Sequence, residues 1–209
     1  MIKLSESSRQ KFFTVLQKYV PTDAVHYCYD LWVKNPFHFK ISRNRQTKLG
    51  DYKYDPYRKE HTITVNYNLN LYNFLITYLH EFAHLTTTEK YGRKVLPHGK
   101  EWKKEFQNIL SPMLSALIFP EDVLKVLIKH MKNPKASTHS DMHLVKALRK
   151  YDDGFSDVII LDELENGDIF SFKGNTFKKL ESRRTRVLCH HIASGRRYLI
   201  PRIAKVEKD

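Results

Sequence analysis

The feature that most constrains the fold is the stretch 71–91, which contains neither glycine nor proline and is followed by Gly92. Its apolar residues recur at steps of three and four: Leu71, Phe74, Leu75, Tyr78, Leu79, Phe82 and Leu85. This spacing is typical of an α-helix, and glycine is the usual residue just beyond a helix C-terminus. Ile76 and Ala83 widen the apolar face, so we predict a helix that is buried on most of its sides.

The same helix carries three polar side chains, those of His80, Glu81 and His84. Histidines four residues apart on a helix are separated by about 40° around the axis and roughly 6 Å along it, so both imidazoles can bind one metal ion. The glutamate between them can lie beside a water bound to the metal, as in the His-Glu-x-x-His pattern of zinc proteases. The alternative is a pair of core histidines bonded to backbone carbonyls. Buried polar groups need partners, and a zinc ion would satisfy all three.

A third candidate ligand follows after a short loop. A helix is predicted over 98–110, and His98 is its first residue. A histidine at this place can reach back to the first two ligands, which gives three protein ligands and an open fourth position, the arrangement of a catalytic zinc. Glu101 is the competing third ligand, and it or Lys100 could instead support one of the ligands by a hydrogen bond.

The rest of the chain predicts an α+β protein: helices packed on a small antiparallel sheet with a zincin-type active-site helix, followed by a small all-β module. We assign residues 1–150 to the first domain and residues 154–209 to the second. Further helices are predicted over 5–20, 23–34, 120–131 and 141–151. Strands are predicted over 37–41, 49–54 and 61–67, and in the module over 158–161, 169–172, 186–189 and 198–200.

The charge of the chain indicates a polyanionic partner. The formal net charge is +13, and residues 170–209 hold eleven lysines and arginines against three acids. Nucleic acid is the most common partner of such a segment, and the alternative is an ordinary solvated basic surface. The residues that we predict to bind DNA are Lys178, Lys179, Arg183, Arg184, Arg186, Arg196 and Arg197. The aromatic residues among them, which suit base stacking, are Phe170, Phe172, Phe177 and Tyr198.

Cysteine and histidine usage bear on the compartment and on further metal sites. Cys28 and Cys189 are the two cysteines, too few for a disulfide framework, which favours a reducing compartment. The first residues lack an apolar signal core, and the longest apolar run, 113–119, is too short to span a bilayer. We therefore expect a cytoplasmic protein that does not contact membranes. Three further histidines lack ligand spacing and are expected at the surface: His130, His139 and His143.

These motifs together resemble one known family. His80-Glu81-x-x-His84 on an apolar helix, followed by His98-Gly99-Lys100-Glu101-Trp102, resembles the SprT-like family of zinc metalloproteases, which includes the Spartan DNA–protein crosslink proteases. The preceding stretch 45–70, with Leu49-Gly50-Asp51-Tyr52, is similar too, and the resemblance covers roughly residues 10–115. It implies that His80, His84 and His98 hold one Zn²⁺ ion, that Glu81 is the catalytic base, and that the substrates are DNA-associated or crosslinked proteins.

The carboxyl-terminal part departs from the pattern of this family. Bacterial members usually end in a zinc ribbon with two cysteine pairs, which this sequence lacks. The corresponding positions, Ile200 and Ile203 or their neighbours, cannot bind zinc, so we expect a metal-free β-module in the same place. The alternative function is a nucleic-acid-binding protein with a structural or vestigial zinc site and no protease activity.

Overall fold

The computed structural model describes residues 4–45, 48–136, 140–154 and 159–208. The chain divides into two compact units, 1–136 and 137–209, and each is described by itself. The predicted domain boundary at 150–154 lies further along the chain and stays a prediction. Val158, at the start of a predicted strand, and His139 lie outside the described residues.

The described part of the first unit contains five α-helices, each close to its predicted position. They are α1 (Glu6–Tyr19), α2 (Val25–Lys34), α3 (Leu71–Tyr91), α4 (Lys100–Leu110) and α5 (Glu121–Met131). The side chain of Asn70 accepts a hydrogen bond from the backbone N–H of Asn73 and so caps α3, while Gly92, with a φ of 65°, ends it. The predicted metal-binding helix therefore begins and ends where its sequence signals lie.

The small sheet of the first unit is mixed, which corrects the predicted antiparallel arrangement. Its strands are β1 (His38–Ser42), β2 (Gly50–Asp55) and β3 (Glu60–Asn66), in the order β1-β3-β2. β2 pairs antiparallel with β3, whereas β1 pairs parallel with it. Alternating apolar and polar residues predict a strand but not the direction of its neighbour, so the sequence could not distinguish the two cases.

Helix α3 lies at the centre of the first unit, where it packs against α4, β2 and β3. Its inward residues Phe74, Leu79 and Phe82 are almost completely buried, and each contributes about 1.5–3 kcal/mol to folding. The hydroxyl of Tyr78 donates a hydrogen bond to the carbonyl of Cys28 at 2.9 Å, which ties α3 to α2. Burial on most sides, as predicted, fixes the orientation of the polar side chains that α3 carries.

The second unit combines one described α-helix with a six-stranded antiparallel sheet. The helix is α6 (Met142–Arg149), and the strands are β4 (Ile159–Ile160), β5 (Ile169–Phe172), β6 (Asn175–Ser182), β7 (Arg186–His191), β8 (Arg197–Pro201) and β9 (Lys205–Lys208). The strand order is β4-β9-β5-β6-β7-β8. Its core includes Phe170, Val187, Cys189 and Ile200. The structure confirms the α+β class with a carboxyl-terminal β-module and adds two strands, β6 and β9, that were not predicted.

Candidate metal centre

The structure brings the three predicted ligands together. Nε2 of His98 lies 3.2 Å from Nε2 of His80 and 3.0 Å from Nε2 of His84. One nitrogen from each of the three side chains lies within 4.8 Å of the others. Glu101, the competing ligand, is not part of this group, and its carboxylate lies 3.9 Å from Nζ of Lys100.

His98 reaches the other two histidines from a tight turn rather than from a helix. The backbone N–H of Gly99 donates to the carbonyl of Leu96 at 2.9 Å, and φ of His98 is 59°. With Pro97 at the second position and a positive φ at the third, this is a type II β-turn. Helix α4 begins at Lys100, two residues later than predicted. A left-handed backbone at a histidine is uncommon, and such conformations cluster at functional sites.

Burial favours the neutral form of the three imidazoles, which have more nitrogen contacts than hydrogen bonds can satisfy. Burial lowers the pKa of His80 and His98, and burial together with His98 lowers the pKa of His84 to about 3. Nε2 of His98 faces two other nitrogens, but a neutral ring nitrogen carries either one hydrogen or one lone pair. One of the two contacts therefore cannot be a hydrogen bond, whichever tautomer is present.

A zinc ion fits this donor set. Nitrogens bound to one tetrahedral zinc at the usual bond length stand about 3.3 Å apart, which is close to the two separations from Nε2 of His98 to Nε2 of His80 and of His84. Three neutral imidazoles with an open fourth position form the donor set of a catalytic zinc site. The lone pair of each nitrogen would then have a partner, so the residues present suit the ion.

A tryptophan forms one wall of the site. The ring of Trp102 lies 4.6 Å from the rings of both His80 and His98, and 5.2 Å from that of His84. Trp102 is completely buried, and among the described residues its Nε1 has no hydrogen-bond partner. This wall keeps water away from one side of the histidines and restricts their rotation.

Glu81 lies where β2 approaches α3. A backbone hydrogen bond from Tyr52 reaches its carboxylate. A Cβ atom added to Gly50 would lie 2.9 Å from Oε1 of Glu81 and 2.7 Å from Cγ2 of Thr77. Only glycine allows so close an approach of the strand to the helix. No pattern in the sequence indicates a role for Gly50, because its closeness to α3 depends on the tertiary fold.

The surroundings of Glu81 raise the pKa of its carboxyl group above the ordinary value. Burial raises the pKa of Glu81 to about 8, and the charge of Asp51 adds to this effect. Arg45 and Lys48 act in the opposite direction, and both form ion pairs with Asp51. A cation at the histidines would also lower the pKa of Glu81, because it stabilises the carboxylate.

Three residues beside the histidines were missed by the sequence analysis. The hydroxyl of Tyr52 lies 2.8 Å from Nδ1 of His61, whose Nε2 lies 2.8 Å from Oε1 of Glu89. The ring of Tyr52 stacks on that of His84, with 6.1 Å between centroids and 12° between planes. These residues come from β2, β3 and α3, so no spacing in the sequence links them.

His130 is buried, which corrects its predicted place at the surface. It shares the inner face of α5 with Val123 and Leu127. These positions follow the helical period, and His130 continues the apolar stripe that the first two residues define. His143 is exposed, as predicted.

The predicted DNA-binding residues lie in the second unit, and the structure removes one of them from the surface. Lys179 is buried, and its Nζ donates a hydrogen bond to the carbonyl of Leu164 at 2.5 Å, so it is not available to a phosphate. Phe170 and Phe177 belong to the core, while Tyr198 is exposed. The remaining six basic residues are exposed: Lys178, Arg183, Arg184, Arg186, Arg196 and Arg197.

Comparison with known proteins adds one finding. The model of the SprT-like family matches residues 23–123, a range that contains the three histidines, Glu81 and Trp102. No curated protein and no solved structure matches the chain. Among the residues that the structure describes, no helix has both the length and the apolar character of a membrane-spanning segment.

Proposed function

Residues 23–123 belong to the SprT-like family, and from this premise we propose that the chain is a zinc-dependent metallopeptidase. The observation that carries the proposal is the convergence of three neutral imidazoles beside the buried carboxylate of Glu81. His80, His84 and His98 would hold the ion. When bound, zinc supplies an activated water and polarises the scissile carbonyl.

The protein's own contribution to the reaction centres on Glu81. Its carboxylate accepts a proton from the attacking water and then passes it to the nitrogen of the leaving amine. The backbone hydrogen bond from Tyr52 holds this carboxylate in place, and the ring of Trp102 excludes water behind the ligands. A general base positioned in this way contributes roughly 10²–10⁴ to the rate.

The test compares Glu81→Gln with the wild type and with His98→Ala. Glu81→Gln removes the base but leaves the ligands, so it should bind one zinc ion per chain and cleave a denatured protein substrate about 10²–10⁴ times more slowly. His98→Ala should lose both zinc and cleavage. Metal content is measured on the purified protein. Full activity of Glu81→Gln would overturn the peptidase proposal and leave the alternative of a nucleic-acid-binding protein with a vestigial zinc site.

We also propose that the second unit binds nucleic acid, so that cleavage is directed to DNA-associated or crosslinked proteins. The register of β6, β7 and β8 supports this, because it places Lys178, His190 and Arg197 opposite one another. Side chains paired in this way lie on one face of a sheet, about 5 Å apart from strand to strand. The row lies on the face opposite the core residues Phe177 and Cys189, where its cations can contact phosphates.

The nucleic-acid proposal is tested by a pair of charge-matched double variants. Lys178→Ala with Arg197→Ala should weaken binding to single- and double-stranded DNA and lower the slope of affinity against salt by about two between about 50 and about 200 mM. The control, Lys104→Ala with Lys132→Ala, removes the same charge from exposed positions of the first unit. Equal loss in both variants, or no binding by the wild type at low salt, would contradict the proposal.

The compartment that we propose is the cytoplasm. Cys28 and Cys189 are both free and buried thiols, and reducing compartments keep thiols in this form.

A further inference from the structure

We propose that Glu89, His61 and Tyr52 form a positioning chain that sets the orientation of His84 and of the Glu81 carboxylate. The proposal rests on the metal centre described above. It concerns residues that bind neither the metal nor the substrate, and it assigns them a role in holding the groups that do.

Hydrogen bonds link the three residues of the positioning chain without a gap. Nε2 of His61 lies 2.8 Å from Oε1 of Glu89, and Nδ1 lies 2.8 Å from the hydroxyl of Tyr52. A carboxylate can only accept, so the Nε2–H of His61 donates to Glu89. Nδ1 of the same ring forms the second hydrogen bond, with the hydroxyl of Tyr52. His61 is buried, with 7% of its surface exposed, so both of its nitrogens depend on these two partners.

Tyr52 is the residue of the positioning chain that contacts the metal centre. Its ring stacks nearly parallel on that of His84, and its backbone hydrogen bonds to Glu81. The hydroxyl of Thr88 donates to the carbonyl of His84 at 2.9 Å, and the same side chain lies beside the hydroxyl of Tyr52. A shift of Tyr52 would therefore move a ligand and the carboxylate together.

The strand register explains why the three residues of the positioning chain meet only in the folded protein. On β2, Tyr52 pairs with Ile63, whereas His61 pairs with Tyr54, two residues further along. His61 thus meets the Tyr52 hydroxyl diagonally across the two strands and meets Glu89 on α3. The three residues fasten both strands to the helix that carries His80 and His84.

The test compares Tyr52→Phe with Tyr54→Phe. Both changes remove one hydroxyl from a half-buried tyrosine of β2 whose ring stacks on or packs against His61, but only Tyr52 contacts His84 and Glu81. Groups that orient metal ligands contribute roughly 10–100-fold to metal affinity. Tyr52→Phe should therefore bind zinc at least about tenfold more weakly than the wild type, and the absorption spectrum of its cobalt-substituted form should change. Tyr54→Phe should match the wild type in both measurements.

Glu89→Ala, which removes the acceptor of the His61 N–H, tests whether the three residues act as one unit. Alone it should weaken zinc binding, and combined with Tyr52→Phe it should add nothing further, because the link is already broken. Additive losses, or a Tyr52→Phe protein with the affinity and cobalt spectrum of the wild type, would overturn the proposal. If Tyr52→Phe does not fold, Glu89→Ala decides the question, since Glu89 is half-exposed and an unchanged zinc affinity in that variant overturns the proposal.

These measurements also separate the inference from the proposed function. A protein that binds zinc and responds to Tyr52→Phe, but cleaves no protein, would contradict the peptidase and keep the positioning chain. A wild type that binds no zinc would overturn both.

Discussion

At residue 98 the backbone and the side chain have conflicting requirements. A φ of 59° favours glycine, yet the site uses an imidazole there. An L-residue in this conformation costs about 1 kcal/mol or more. With zinc removed by a chelator, His98→Gly should therefore have a free energy of unfolding about 1 kcal/mol higher than His98→Ala, as measured by urea denaturation.

The two variants form their own control, because both lack the third ligand and neither should bind zinc at the site. An alanine variant as stable as the glycine variant would show that the turn relaxes to another conformation once the imidazole is gone.

Gly50 sets the distance between β2 and α3. In Gly50→Ala the new methyl group would lie 2.7 Å from Cγ2 of Thr77 and 2.9 Å from Glu81, so the strand or the helix must move. We expect a loss of about 1–3 kcal/mol in unfolding free energy and a lower rate of peptide cleavage, because Glu81 is displaced. Adding Thr77→Ser removes the nearest methyl group and should restore part of the stability. No recovery in the double variant would contradict this steric account.

The part of the candidate site that lies on a single helix could be predicted from the sequence. His80, Glu81 and His84 share one helix, whose period fixes their mutual placement before any tertiary contact forms. His98 followed from the resemblance and from its place after a short loop. Tyr52, His61 and Glu89 could not be predicted, because they meet only once the register of β2 against β3 is known.

At the scale of elements, the sequence predicted where strands occur better than how they pair. Alternation found β1, β2 and β3 but not the parallel pairing of β1. It missed β6, which carries Lys179 on its buried side and a register shift between Lys179 and Glu181. A lysine at a buried strand position breaks the apolar alternation, and so does an irregular register, which explains why this strand gave a weak signal.

Asp162 connects three segments of the second unit. Its carboxylate lies 2.8 Å from Nζ of Lys146 on α6 and 2.5 Å from Nε of Arg202 after β8. Burial alone would raise the pKa of Asp162, but the hydrogen bonds and charges of Arg202 and Lys146 outweigh burial and lower it. At neutral pH, Asp162→Asn should therefore destabilise this unit by about 1–3 kcal/mol.

The effect of Asp162→Asn should depend on pH in a defined direction. The pKa of Asp162 is lower in the folded than in the unfolded chain, so the stabilisation is complete above the ordinary aspartate pKa of about 3.9. It is lost as the pH falls through the lower, folded-state value. Amide hydrogen exchange in β9, compared between wild type and variant at neutral and strongly acidic pH, measures the difference. A difference that does not shrink on acidification would contradict the ion-pair account.

For the molecule as a whole, the candidate metal site and the candidate nucleic-acid surface lie in different units. The described histidine group lies entirely within residues 1–136, whereas the exposed basic row lies within residues 137–209. Zinc bound only to the folded first unit should stabilise that unit, by about 2.7 kcal/mol when free zinc is a hundredfold above its Kd.

Removal of zinc should therefore affect the two units unequally. Chelation should speed amide hydrogen exchange along α3, because the ligands that zinc holds together lie on this helix and on the turn before α4. Exchange in β6 and β7 should stay unchanged, since their core contains none of the described ligands. His98→Ala serves as the control, because a chain without the site should not respond to the chelator. Faster exchange in both units would show that zinc also stabilises the second, and that the metal acts beyond the three histidines.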